Sequence, residues 1–355
     1  MFDDSYLRKL RASQSRRFRE SLSPEDFSRR DESDDALFYW QDRFVAHLDN
    51  QALRTVEQVV GKLLTDDDQR VLDLMASWDS HVPPSRNLAQ LVGLGLNARE
   101  LEANDQLTDH VIHDLNRDST LPFDDGAFDA VLNTVSIDYL TRPVAVLEEV
   151  ARVLRPGGLL LVTFSNRMFD AKATKLWMCS SEEERVILVE EYIKSTLAFH
   201  SPGFFVSRGL PRPQRDKYAG QLPFSDPVYA VWAEKEGGGA PRRPRTIHLA
   251  SHPRPVLKVS LDEVAESLAC GYCGNDLQRL PLYDDWGDAW GGEEIYVCLD
   301  DSCPYFVAHW STNYRSGAPG GSFRFMYDPA QRRCGPLPVS SPRDLKDLVA
   351  APSSS

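Results

Sequence analysis

The sequence predicts an α/β fold: an open, mostly parallel sheet of seven strands with helices on both faces, followed by a small metal-stabilised domain. Three observations predict it. From Val71 onward short apolar runs alternate with helix-period patterns. A run of Gly, Pro and Arg from Glu236 to Pro244 then breaks the pattern, and four clustered cysteines lie beyond it. Strands that alternate with helices join into parallel sheets through right-handed crossovers.

Each element has its own signal. Residues 1–36 are rich in Ser, Arg, Asp and Glu and are expected to be flexible, with a short helix after Ser23-Pro24-Glu25-Asp26. Val45, Leu48, Ala52, Val56, Val59, Val60, Leu63 and Leu64 recur at helical steps, and Asp49 is a candidate cap. Val71–Met75 is the first strand and Ala89–Leu96 the second. Asn97 with Glu100 reads as a capping box opening a helix. His110–His113 and Phe128–Asn133 are strands three and four. Leu147, Val150, Ala151 and Leu154 mark a helix face, stopped by Pro156-Gly157-Gly158. Leu159–Phe164 is strand five, residues 182–199 are helical, and Phe204–Val206 with Val228–Trp232 close the sheet. The domains are therefore 37–236 for the α/β unit, 237–258 for a linker, 259–340 for the cysteine domain and 341–355 for a disordered tail.

Composition narrows the function. The formal net charge is −13. An acidic chain repels nucleic acid unless a local patch intervenes, so nucleic-acid binding is disfavoured. Arg16-Arg17-Phe18-Arg19 and Arg242-Arg243-Pro244-Arg245 read as solvated, flexible segments. No apolar run is long enough to span a membrane, and the first residues do not read as an export signal. Six cysteines without such a signal point to a reducing, cytoplasmic setting, and their clustering favours metal over disulfides.

The stretch "HDLNRDSTLPFDDGAFDAVLNTVSIDYLTRPVAVLEEVARVLRPGGLLLVTFSN" carries a family resemblance. Within it LPFDDGAFDAV leads into strand four, and EEVARVLRPGGLLLV carries a helix into strand five. Over roughly residues 38–235 the chain resembles a class I S-adenosylmethionine-dependent methyltransferase of the type 11 kind, with its Rossmann-like sheet. A narrower likeness is to a plant and bacterial subgroup sharing the DL-x-x-SW-x-SH loop and an "SFSNR"-like strand end, here Thr163–Arg167.

The resemblance implies roles by position. Asp73 matches the strand-one acid that, with its loop, holds the amino-acid end of the cofactor. Gly95 stands where an acid usually takes both ribose hydroxyls. Asn97 is the candidate substitute. Asp114 matches the acid that meets the adenine amino group, beside the Leu115 backbone amide. The family's loop after strand one is glycine-rich, so that backbone approaches cofactor closely. Here Met75, Ala76, Ser77, Trp78 and Asp79 stand instead. A rebuilt loop would use the Ser77 hydroxyl, the Trp78 face and the Asp79 carboxylate. A decayed loop would leave a scaffold. Ser136 completes the cofactor set.

The acceptor side offers weaker candidates, and no catalytic residue is assigned. His47 is a general base or a packing residue, and His81 faces substrate or bonds its own loop. Asp138 and Tyr139 orient an acceptor or pack the sheet. Arg167 binds an anion or forms an ion pair. Phe169, Leu176, Trp177 and Phe199 line a pocket or fill the core.

Cys270-x2-Cys273 and Cys298-x4-Cys303, with 24 residues between the pairs, resemble the two knuckles of a zinc ribbon. Four thiolates suit a closed, structural Zn²⁺ site, with iron as the alternative. The expected function is methyl transfer from S-adenosylmethionine to a small-molecule acceptor, aromatic or quinone-like by resemblance. The zinc module is expected to recruit a protein partner or to close over the acceptor. The alternatives are a non-catalytic scaffold acting through that module, and methylation of a protein or nucleic acid.

Overall fold

The computed structural model describes residues 4–210, 212–222, 224–249, 256–282, 292–301, 303–315, 322–339 and 345–349. It divides into two compact units, one of Met1–Phe205 with Asp226–Ile247 and one of Val206–Ser225 with His248–Ser355.

The first unit runs α1 (Asp4–Ser21), a 3-10 turn (Pro24–Phe27), α2 (Asp35–Tyr39), α3 (Asn50–Leu63), β1 (Gln69–Leu74), β2 (Leu88–Gly95), α4 (Ala98–Glu102), β3 (Asp109–Ile112), β4 (Phe128–Thr134), α5 (Pro143–Val153), β5 (Leu154–Phe164), α6 (Lys175–Cys179), α7 (Glu182–Ser195), β6 (Gly203–Ser207) and β7 (Val228–Glu234). The sheet order is β3-β2-β1-β4-β5-β7-β6. The first five strands are mutually parallel, and β7 runs antiparallel to β5. The seven-stranded, mostly parallel fold is thus the expected one. Its centre is apolar because β1, β4 and β5 bury both faces, through Val71, Leu72, Val131, Leu160 and Val162. Asp49 caps α3 as expected, accepting from the Gln51 and Ala52 amides.

Four expectations need correction. Of the N-terminal residues expected to be flexible, those from Phe18 to Asp35 pack against the rest of the unit. Arg19 of α1 donates to both Glu148 and the Ser195 carbonyl, and Phe18 lies 6.0 Å from the Tyr192 ring. Farther along, Arg29 and the fully buried Lys172 converge on Asp35, whose carboxylate also accepts from Asn116. Buried charges are tolerated only when paired, so this cluster fixes the segment. The second correction is Pro156-Gly157-Gly158, which lies inside β5. A register shift between Phe128 and Ala130 of β4 accommodates it, with Gly157 at φ +76°.

The third correction concerns residues 237–247, which pack on the sheet edge. Arg243 is buried, pairs with Glu234 and donates to the Leu63 carbonyl, while Arg242 pairs with Asp66. The Arg242–Arg245 run is therefore not a solvated segment. The fourth is the capping box. The Asn97 side chain accepts from the Arg99 and Glu100 amides, but the Glu100 carboxylate turns elsewhere.

The second unit holds α8 (Leu261–Ser267), β8 (Gln278–Pro281), β9 (Glu294–Val297), α9 (Pro304–Arg315), β10 (Ser322–Asp328), β11 (Arg333–Val339) and α10 (Lys346–Val349). Its four strands form an antiparallel sheet in the order β11-β10-β9-β8 over a core of Leu280, Ile295, Val297, Met326 and Leu337. Within the 341–355 tail, α10 forms a turn of helix; residues 341–344 and 350–355 lie outside the described residues.

Candidate cofactor site and four-cysteine centre

Parallel sheets present ligand sites at the carboxyl ends of their strands. A cavity of about 280 Å³ lies there in the first unit. All eight residues proposed for the cofactor line it: Asp73, Met75, Ser77, Asp79, Asn97, Asp114, Leu115 and Ser136.

Asp73 sits in β1 between Gly93 of β2 and Leu132 of β4. Burial pushes its carboxyl up to about 7, against a hydrogen bond from Ser80 and the nearby His81. Ser80 is itself buried and accepts from Asn104. A buried acid in this condition gains most from a cation brought to it.

The loop after β1 contains no glycine, yet its backbone enters the left-handed region at Met75 (φ +60°) and again at His81 (φ +54°). Non-glycine residues there are strained, and such strain gathers at functional sites. Ala76 donates to the Leu94 carbonyl at 2.8 Å, which lays the loop against the end of β2. Its carbonyl oxygen fills the space that a Cβ on Gly95 would need. Only glycine fits at that position.

Other loop groups are partly engaged. Ser77 donates to Glu100 at 2.5 Å and keeps its lone pairs for an incoming donor. The Asp79 carboxylate meets Nδ1 of His81 at 3.1 Å, and that contact holds it below the usual carboxylate range. His81 thus lies against a side chain of its own loop and also lines the cavity. The Trp78 indole donates to the Val45 carbonyl.

Asn97 lines the cavity, but its side chain is fully occupied. Its oxygen caps α4, and its amide donates to the Tyr39 carbonyl and to Asp42. Glu100, three residues on, is the acid that the sequence reading missed as a site residue. It is buried, lines the cavity, and accepts from Ser77 and the Arg43 amide. Its signal was the third position of the supposed capping box. Asp114 uses one oxygen to receive the Asn116 and Arg117 amides. The Ser136 hydroxyl accepts from Asn133, whose amide also reaches the Leu74 carbonyl.

On the acceptor side Tyr139, Phe169, His47 and Arg167 line the cavity. Phe169 lies 5.2 Å from His47 and 6.1 Å from Tyr139. Arg167 pairs with Asp226, which exchanges hydrogen bonds with Asp49. Asp138 is buried outside the cavity, pushed up to about 7 by burial. Leu176, Trp177 and Phe199 also lie outside it; Trp177 packs on Phe164 at 5.1 Å. Tyr39 and Arg43 are cavity residues to which the sequence reading gave no role.

In the second unit Cys270, Cys273, Cys298 and Cys303 place their sulfurs within 4.8 Å of one another. Sγ of Cys270 lies 3.9 Å from that of Cys303, and Sγ of Cys273 lies 3.6 Å from that of Cys298. A tetrahedron with Zn–S bonds of about 2.3 Å has edges of about 3.8 Å, so the donor set fits a single ion. Gly274, at φ +82°, turns the first knuckle, and its amide donates to the Cys270 carbonyl. The wholly buried Arg324 braces the second, donating to the Cys298 carbonyl and to Asp301.

With this geometry in place, residues 80–162 match the family model described as a methyltransferase domain. The glycine/sarcosine/dimethylglycine N-methyltransferase of Actinopolyspora halophila is 32% identical over 134 residues, 35% of this chain and 23% of that protein. The 27-O-demethylrifamycin SV methyltransferase of Amycolatopsis mediterranei is 27% identical over 169 residues, 43% of this chain and 61% of that protein. The chain thus spans less than two thirds of either relative. A solved methyltransferase from Thermotoga maritima is 19% identical, covers 52% of this chain and 89% of its own, and superposes with a TM-score of 0.39. No helix among the described residues is long and apolar enough to cross a membrane.

Proposed function

We propose that this chain, which carries a methyltransferase domain of the type 11 family, moves a methyl group from S-adenosylmethionine to a small-molecule acceptor. One observation carries the reading: a single cavity at the carboxyl edge gathers every residue that the family resemblance assigns to cofactor, around the buried carboxyl of Asp73.

S-adenosylmethionine supplies an already activated sulfonium methyl, so the protein's contribution is alignment and exclusion of water. Asp73, once ionised, is the group for the ammonium. Ser77 and Glu100 offer acceptors for ribose hydroxyls, and Glu100 takes the part that Gly95 and Asn97 leave open. Asp114 keeps one oxygen for the adenine amino group. Phe169, Tyr139 and His47 form the wall toward the acceptor. No nucleophile is needed on the protein.

The four-cysteine centre is proposed as a structural zinc site. Four thiolates leave no open position, so the ion holds the second unit folded. That unit is also the candidate face for a protein partner.

Calorimetric titration with S-adenosylhomocysteine tests the proposal. Binding in the micromolar range, about −8 kcal/mol, that weakens in Asp73→Ala and in Ser77→Ala supports it. A folded protein that takes up no ligand overturns it.

A further inference from the structure

We propose that Arg43 and Tyr39 form an anion site that receives a carboxylate on the methyl acceptor. The inference rests on the methyl-transfer reading above and names the acceptor's class. Arg43 comes from the segment between α2 and α3. Its guanidinium lies 4.7 Å from the Phe38 ring centre, 5.2 Å from that of Phe169 and 5.7 Å from that of Tyr39. Nη2 donates to the Phe38 carbonyl at 2.9 Å. Nη1 is buried without a partner, and no carboxylate of the described residues pairs with the group.

A guanidinium stacked on rings keeps its edge donors, because the ring faces hold the plane and not the N–H bonds. The Tyr39 hydroxyl is also buried without a partner, and burial keeps it protonated and therefore a donor. Both residues line the cavity, and two buried donors without a partner, one of them charged, call for an anionic acceptor of hydrogen bonds.

The cavity's own acids do not fill this need. Asp35 pairs with Arg29 and Lys172, Asp79 meets His81, Glu100 is held by Ser77 and the Arg43 backbone amide, and neither Asp73 nor Asp114 forms an ion pair with the Arg43 guanidinium. A cationic acceptor would meet the unpaired guanidinium. The ring that supports Arg43 places the site. Phe169 follows β5 and packs against Tyr139, which follows β4. The guanidinium thus reaches the rings that follow β4 and β5, while the backbones of Arg43 and Tyr39 are tied to Glu100 and Asn97 at the β2–α4 end. An acceptor with its carboxylate on Arg43 and its body on Phe169 would extend from there toward the cofactor.

The test uses the full chain, benzoate and octanoate as probes, and their neutral amides as controls. Each is titrated with and without S-adenosylhomocysteine and followed by ligand-observed NMR. Benzoate or octanoate should bind while the amides do not, and binding should fall about tenfold or more in Arg43→Gln and partly in Tyr39→Phe. S-adenosylhomocysteine affinity should stay within about threefold in both variants. Thermal melts confirm that each variant is folded, and Arg43→Lys serves as the milder variant if Arg43→Gln is not. Failure of both carboxylates to bind wild-type protein overturns the proposal. So does a tenfold loss of S-adenosylhomocysteine affinity in Arg43→Gln with carboxylate binding intact, which would make Arg43 a partner of the cofactor. If S-adenosylhomocysteine does not bind wild-type protein, the methyl-transfer reading fails, and Arg43-dependent carboxylate binding would still support the anion site.

Discussion

The carbonyl oxygen of Ala76 occupies the space that a side chain on Gly95 would need. Two departures from the methyltransferase pattern are therefore one. The glycine-free loop after β1 leans onto the end of β2, and the acid usually found there has no room. Gly95→Asp, which introduces the acid that the resemblance places there, should not create a ribose contact. It should destabilise the unit by about 1–3 kcal/mol, the usual cost of overpacking, and weaken S-adenosylhomocysteine binding. Thermal melting and calorimetry read both effects. A stable Gly95→Asp protein with improved affinity would show that the loop moves aside freely.

Asp73 makes cofactor binding depend on pH. Its folded-state pKa of about 7 lies above the ordinary 3.8 because burial penalises the charge. For the ligand-free protein, the stability contributed by the protonated group is full below the ordinary carboxylate range and is lost as pH rises through about 7. An incoming ammonium favours the ionised form. Affinity for S-adenosylhomocysteine should therefore strengthen as pH rises toward 7 and then level off, with a proton released on binding below that point. Titrations in buffers of different ionisation enthalpy count the proton. Asp73→Asn should abolish the release. Unchanged release in that variant would assign the proton to another group.

Much of the sheet was legible because apolar runs report burial directly. β1, β2, β4, β5 and the closing pair appear as apolar runs, β3 shows only Val111 and Ile112, and Asp49 announced α3. The knuckles were legible because spacing fixes which sulfurs can meet. Features made by long-range pairing were not. Lys172 and Asp35 lie far apart in sequence, and no local pattern says that they neutralise each other. The stacking of Arg43 on Phe169 likewise joins residues far apart in sequence. Glu100 was assigned to a capping box because its distance from Asn97 is right, but the Ser77 hydroxyl competes for its carboxylate. The left-handed turn at Met75 is the place where a glycine would have signalled the loop.

The Asp35 cluster should govern order in the N-terminal segment. Asp35 accepts from Arg29 and Asn116 and meets Lys172, all in a buried setting. Asp35→Ala leaves Lys172 buried without its nearest carboxylate, and breaking a buried pair in this way costs about 3–5 kcal/mol. The segment from Leu22 to Tyr39 should then become sensitive to limited proteolysis, and the cavity should lose its cover. Mass spectrometry of early fragments locates the cuts. A cleavage pattern identical to wild type would mean that α1, through Arg19 and Phe18, suffices to hold the segment.

The four-cysteine centre makes the strongest claim about composition. Its sulfur separations of 3.6 and 3.9 Å suit zinc in a tetrahedral cage. Purified protein should carry one zinc per chain and be colourless. Cys298→Ser should lose the metal and unfold the β8–β11 sheet, because Cys298 follows β9 directly and its amide donates to the Phe325 carbonyl of β10. Emission spectrometry gives the metal, and far-ultraviolet circular dichroism before and after chelation reports the lost structure. Visible absorption with iron in place of zinc would overturn the choice of ion. Full structure after complete chelation would show that the apolar core of Leu280, Ile295, Val297, Met326 and Leu337 holds the unit without metal.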